Sequence, residues 1–219
     1  MRALIFDFDG VLADTEELHR AAFDAVASTL GGACSRADYY GRFLGLPDRD
    51  CLAALCAQVG VTPDAQQLDL LVASKRQHFA QLSHTAVLYP GVPETLRRLH
   101  QHFLLAIASG AFRDEINAIL ERHQVRSLFR AVVAMEDVRA GKPAPDPYLQ
   151  ALRALGKQTA APLSAAHCVV IEDSPHGITA AHAAGMRCVG VTTHHDRTVL
   201  AAADAIIASV AELRHEAGD

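Results

Sequence analysis

The run Ala3-Leu4-Ile5-Phe6 leads directly into Asp7-Phe8-Asp9-Gly10-Val11-Leu12. Such an apolar run suits a strand buried on both faces. Side chains alternate along a strand, so Asp7 and Asp9, two positions apart, point to one side, and Gly10 then breaks the chain direction. Two carboxylates where a buried strand meets a loop are costly unless a cation or a substrate uses them. One reading is a charged strand end or a helix cap. The other is a hard-metal site with a carboxylate nucleophile.

The organisation of the chain separates these readings. Its 219 residues fit one large domain, or a core with a smaller insert, and allow a sizeable buried core. After Val11 the pattern turns helical. Leu18, Ala22, Val26 and Leu30 recur at spacings of four within Thr15 to Leu30, with Asp14 and Thr15 as candidate caps. Residues 35–43, 49–59 and 65–82 read as further helices, set apart by Gly45-Leu46-Pro47 and Val61-Thr62-Pro63. No strand pattern appears between about 14 and 85.

From Tyr89-Pro90-Gly91 onward, strands alternate with helices. The strands are 103–108, 131–134, 167–171, 188–191 and 205–207, and the helices are 93–102, 113–123, 147–155 and 177–184. Continuous apolar strands alternating with helices predict a parallel sheet covered on both faces. The predicted fold is therefore α/β, a Rossmann-like parallel core of residues 1–13 and 86–219, with an inserted all-helical cap of residues 14–85.

Polar residues then fall at the carboxyl ends of these strands: Asp7 and Asp9, Ser109, and Glu172 with Asp173. Lys142 sits in the loop Ala140-Gly141-Lys142-Pro143-Ala144-Pro145. Ligands of open parallel sheets bind beyond the carboxyl ends of the strands, so segments distant in sequence converge on one crevice. Taken singly, Glu172-Asp173 reads equally as an N-cap pair and Ser109 as a turn residue. Joint placement after successive strands favours a site.

Composition excludes other classes. Net charge is −5 and no basic run occurs, which argues against a nucleic-acid partner. No apolar stretch approaches the roughly 18 residues of a membrane span. A secretory signal is not expected, because Asp7 and Asp9 interrupt the first apolar run. Cys34, Cys51, Cys56, Cys168 and Cys188 form an odd set without a CxxC pair, the pattern of reduced thiols in a cytoplasmic protein. A monomer is expected.

With these residues in place, the sequence resembles the haloacid dehalogenase-like (HAD) hydrolase superfamily. The resemblance is to the branch that includes β-phosphoglucomutase and many small sugar-phosphate phosphatases. Residues 7–15 (Asp-Phe-Asp-Gly-Val-Leu-Ala-Asp-Thr) look like its first motif, DxDGxxxDT. Ala108-Ser109 matches the second, Gly141-Lys142-Pro143 the third, and Ile171-Glu172-Asp173-Ser174 the fourth. The likeness covers essentially the whole chain, including the place of the cap between the first and second motifs.

Chemistry and resemblance together suggest roles. Phosphoryl transfer needs an in-line nucleophile, an acid for the leaving oxygen and cations to spread charge. Asp7 is the expected nucleophile, forming an aspartyl-phosphate. Asp9 is the expected acid and later base. The expected cofactor is Mg²⁺, which prefers oxygen ligands and screens Asp7 from an anionic substrate. The resemblance implies Asp7, the backbone carbonyl of Asp9, and Asp173 as its ligands, with Glu172 a ligand or a partner behind them. It gives Ser109 a hydrogen bond to the phosphate, and Lys142 the neutralisation of Asp7 and the phosphate.

Six positions are expected substrate contacts: Thr15, His19, Arg49, Lys75, Gly110 and Arg113. His19 lies one turn after Thr15, on the same side of the helix. The resemblance gives His19 the leaving hydroxyl and Lys75 a reach to the substrate. Surface readings of His19 and Lys75 compete with these. The chain departs from the mutase pattern at Phe112 and Arg113, where β-phosphoglucomutase has lysine then asparagine to hold a second phosphate. A phosphatase acting on a small phosphorylated metabolite, a sugar or polyol phosphate, is therefore expected over a phosphohexomutase. A non-catalytic phosphate-binding protein is the remaining alternative.

Overall fold

In a computed structural model describing residues 2–159 and 162–214, the first apolar run forms strand β1 (Ala3–Phe6), every residue of it buried. The chain forms two compact units, Met1–Asp14 with Val87–Asp219, and Thr15–Ala86.

Beyond β1 the chain turns tightly. The amides of Leu12 and Ala13 donate to the Phe8 carbonyl at 2.8 and 3.0 Å, and Gly10 N donates to Ala13 O at 3.0 Å. Gly10 holds φ +74°, a conformation open to glycine. The turn buries Val11 and Leu12 and delivers strand β2 (Ala13–Asp14).

The second unit follows. It contains α1 (Glu16–Thr29), α2 (Arg36–Asp38), α3 (Asp48–Gln58) and α4 (Ala65–Leu82). Helix α4 starts on a capping box. Asp64 Oδ1 accepts from Gln67 N, and Gln67 Oε1 accepts from Asp64 N, both at 2.8 Å. The α1 start differs from expectation, because Thr15 at its N-cap makes no side-chain capping bond. The single helix expected over 35–43 is also replaced. Ser35 caps the three residues of α2, and a π-helical turn covers Tyr39–Phe43. There Leu44 N reaches back five residues to Tyr39 O at 2.8 Å, which keeps Tyr39 and Phe43 buried while the chain changes direction. Phe23, Val26, Cys34, Cys51, Leu52 and Leu55 join them in one apolar cluster.

Back in the first unit, β3 (Val87–Leu88) pairs antiparallel with β2. Sequence patterning missed this pair, because two residues carry no periodicity. Then come α5 (Val92–Leu99), β4 (Leu104–Ala108), α6 (Arg113–Arg122), β5 (Phe129–Val133), α7 (Asp146–Gly156), β6 (Cys168–Glu172), α8 (Pro175–Ala183), β7 (Arg187–Val191) and β8 (Ala205–Ile207). Among the described residues, six strands form one parallel sheet in the order β5-β4-β1-β6-β7-β8. The α/β core expected from the alternation is thus the observed one.

This order places the site. Chain connections leave β1 toward β4 and leave β6 toward β7, in opposite directions across the sheet. The crevice between β1 and β6 is therefore the topological switch point, where parallel sheets bind ligands. Phe6 pairs with Ile171, and Asp7 N donates to Ile171 O at 2.9 Å, so Asp7 enters the crevice beside Glu172 and Asp173.

All five cysteines are free and buried. Burial pushes the thiols of Cys34 and Cys168 up to about 11 and that of Cys51 up to about 12. Those of Cys56 and Cys188 move in the same direction for the same cause. Thiolate, the reactive form, is then scarce at pH 8. Native protein should resist an aromatic disulfide reagent at that pH, and all five thiols should react after unfolding. Rapid labelling of any one in the native state would contradict this packing.

Candidate active site

Four elements supply the polar cluster. Asp7 follows β1, Lys142 comes from the loop before α7, Tyr148 from α7, and Glu172 and Asp173 from the end of β6. Oxygens of Asp7, Glu172 and Asp173 lie within 4.8 Å of one another. Lys142 Nζ stands 2.8 Å from Asp7 Oδ1 and 2.6 Å from Glu172 Oε1.

Glu172 is fully buried, and both its oxygens are engaged. Oε1 accepts from Lys142 and, at 3.0 Å, from the Tyr148 hydroxyl. Oε2 accepts from the amide and hydroxyl of Ser174 at 2.9 and 3.0 Å. Burial alone would favour the neutral acid; Lys142 outweighs it and holds the Glu172 carboxyl below its ordinary range. Ser174, with its Oγ accepting from Gly177 N at 3.0 Å, is the cap of α8. The cap-pair reading of Glu172-Asp173 therefore fails. The Tyr148 ring also lies 5.3 Å from Lys142 Nζ, a cation–π contact that fixes the ammonium further.

Asp7 behaves differently. Burial, then the carboxylates of Glu172 and Asp173, push its carboxyl well above the ordinary range, against the pull of Lys142. Its Oδ1 is buried and has an ion pair but no aligned hydrogen bond. Asp7 and Glu172 thus share one ammonium, with the Asp173 carboxylate close by. Oxygen donors with unmet negative charge fit a hard divalent cation such as Mg²⁺. Asp7 offers the uncommitted oxygen, since its Oδ1 lacks a hydrogen-bond partner, whereas Glu172 is held by Lys142, Tyr148 and Ser174.

Glycines make room for this packing. A Cβ on Gly177 would fall 1.7 Å from Glu172 Oε1, and one on Gly10 would fall 2.1 Å from Asp173 Oδ2. His194 Nδ1 lies 3.2 Å from Asp173 Oδ2 and steadies that carboxylate.

The other expected residues are placed as follows. Asp9 is half-buried in the turn after Asp7. Ser109 ends β4, the neighbour of β1, and its Oγ accepts from Ala111 N at 3.1 Å. Gly110 is exposed beside it. Arg113 is tied elsewhere, donating to Val132 O at 2.8 Å and pairing with Asp137. In the helical unit, Thr15, His19 and Lys75 are buried, and Lys75 Nζ meets His19 Nδ1 at 2.8 Å. Arg49 is half-buried and paired with Asp69.

Tyr148, His194 and Gly177 escaped the sequence reading. Tyr148 shares a helix face with Ala151 and Leu155 and so reads as core. His194 was findable, since it follows the carboxyl end of β7, where the rule applied to the other strands also holds.

Residues 4–191 match the family described as haloacid dehalogenase-like hydrolase. The chain belongs to that family. Among the relatives of this hydrolase is Protein CbbY of Rhodobacter capsulatus, 34% identical over 205 residues, covering 90% of this chain and 88% of that protein. The phosphorylated carbohydrates phosphatase of Thermotoga maritima is 31% identical over 196 residues, covering 89% and 86% respectively. A crystal structure of CbbY from Rhodobacter sphaeroides in complex with xylulose-(1,5)bisphosphate is similar at TM-score 0.83 and 28% identity, covering 97% of this chain and 96% of that one. By family and by its named phosphatase relatives, this hydrolase is a phosphoric monoester hydrolase.

The glycine geometry yields a test. Gly177→Ala should displace Glu172 and slacken Lys142, lowering turnover about 100-fold or more, since a shift of about 1 Å is enough to spoil such a site. Turnover within about twofold of wild type would show that Glu172 needs no such clearance.

Proposed function

We propose that this hydrolase releases inorganic phosphate from a small phosphorylated carbohydrate through an aspartyl-phosphate on Asp7. The gathering of Asp7, Glu172 and Asp173 at the switch point, with Lys142 against the first two, is the observation that carries the reading. The names of the relatives, a phosphorylated carbohydrates phosphatase among them, support the substrate class.

Asp7 attacks phosphorus as the ester P–O bond breaks, and Asp9 gives its proton to the departing alcohol oxygen. Asp9 then takes a proton from water. The oxygen of that water attacks phosphorus, and the bond to Asp7 breaks to release phosphate. Lys142 neutralises charge on Asp7 and the phosphate, while Glu172 and Tyr148 hold its ammonium in place. Ser109 hydrogen-bonds the transferring group. Asp7, Asp173 and the backbone carbonyl of Asp9 would hold Mg²⁺, which supplies the charge that lets a carboxylate approach a dianionic ester. Glu172 acts through Lys142 rather than as a ligand.

A cytoplasmic setting is proposed on the five free, buried thiols, which suit a reducing compartment. Among the described residues no helix is long and apolar enough to cross a membrane.

The tests address nucleophile and metal separately. Asp7→Asn keeps size but removes the attacking charge, and phosphate release should fall at least about 1,000-fold. Near wild-type release by that variant, in a preparation free of other phosphatases, would falsify the covalent route. Chelation by EDTA should abolish release, and Mg²⁺ should restore it. Calorimetric titration of Asp173→Ala should show Mg²⁺ affinity weakened about tenfold or more. Full activity after exhaustive chelation rules the cation out.

A further inference from the structure

We infer that His194 is a positioning residue, which holds the Asp173 carboxylate in place for Mg²⁺ and so sets the affinity of this enzyme for the cation. This rests on the metal site proposed above.

The Asp173 carboxylate stands among like charges. One of its oxygens lies within 4.8 Å of oxygens of Asp7 and Glu172, and repulsion at that separation turns a carboxylate aside unless a donor holds it. His194 supplies a donor. Its Nδ1 lies 3.2 Å from Asp173 Oδ2, and the two side chains are only 13% and 8% exposed. An ionised carboxylate only accepts, so Nδ1 carries the hydrogen and donates it. Gly10 leaves room for the contact. A Cβ there would stand 2.1 Å from Asp173 Oδ2 and 3.1 Å from His194 Nδ1, so the pair packs directly against the turn that follows Asp7. Among the described residues, the side chains grouped closely enough to share a cation are Asp7, Glu172 and Asp173, without His194. The imidazole therefore acts through Asp173 and not as a ligand of its own.

The chain around His194 is braced to the sheet. Thr192 N, just past β7, donates to Ile207 O of β8 at 3.0 Å, and Arg197 Nη2 donates to Ile206 O at 3.1 Å. Asp196 Oδ1 accepts from the amides of Thr198 and Val199 at 2.8 and 3.1 Å. Leu200 then closes the segment, fully buried, with its amide donating to Asp196 O at 3.2 Å. His194 is thus carried by a segment fastened on both sides. A donor fixed in this way holds a ligating carboxylate at one orientation before the cation arrives, and loss of such a donor costs about 10- to 100-fold in metal affinity.

The test is calorimetric titration of the whole 219-residue chain with Mg²⁺. His194→Ala should bind Mg²⁺ about tenfold more weakly than wild type. His194→Phe keeps a ring without the donor and should bind as weakly. His194→Asn keeps an N–H donor at the same number of bonds from the backbone as Nδ1, and should recover most of the affinity. The rise in Tm produced by Mg²⁺ should shrink in the first two variants and return in the third. Wild-type Mg²⁺ affinity in folded His194→Ala or His194→Phe overturns the inference and leaves the metal reading intact. Equal weakening in all three also overturns it, because the donor would then not be what counts. Absence of Mg²⁺ binding by wild type removes the metal reading, and the inference with it.

Discussion

One ammonium between two buried carboxylates is the contact on which the site depends. Lys142 touches Asp7 and Glu172 at once, and burial raises the cost of leaving any of the three unmatched. The arrangement divides the acids by role. Glu172, with four donors on its two oxygens, stays ionised and rigid. Asp7, facing two like charges, is left wanting a cation. A dianionic ester alone would worsen that shortage, and an ester with a divalent cation would relieve it.

The sheet makes this contact available. Only where connections diverge, between β1 and β6, can the ends of two adjacent strands open onto a crevice that no crossover fills. The loop before α7 then brings Lys142 in, and Tyr148 on that helix pins it. Gly10 and Gly177 serve the same contact by what they lack, since any side chain there would occupy the volume of Asp173 or Glu172.

The helical unit treats its own buried cation in another way. Lys75 is matched by a carboxylate, an imidazole and two aromatic faces, all from helices α1, α3 and α4. In the first unit one ammonium serves two carboxylates; in the second the ammonium is met by one carboxylate and an imidazole.

The sequence by itself determined the fold class and the placing of paired carboxylates at the end of the first strand. Continuous apolar strands alternating with amphipathic helices allow few arrangements, and carboxylates at the end of such a strand demand a cation or substrate. It also placed Lys142, Glu172 and Asp173, because the carboxyl ends of parallel strands share one edge. Tertiary structure alone decided the division of labour among the acids, since ionisation depends on which oxygens face which donors. It alone revealed Tyr148 as a phenol on the site rather than a core ring, and showed Glu172 committed to Lys142. It also paired Lys75, Arg49 and Arg113 with carboxylates. Asp48 lies 27 positions from Lys75 and Asp137 lies 24 from Arg113, and no periodicity along a chain reports a charge pair made across such distances.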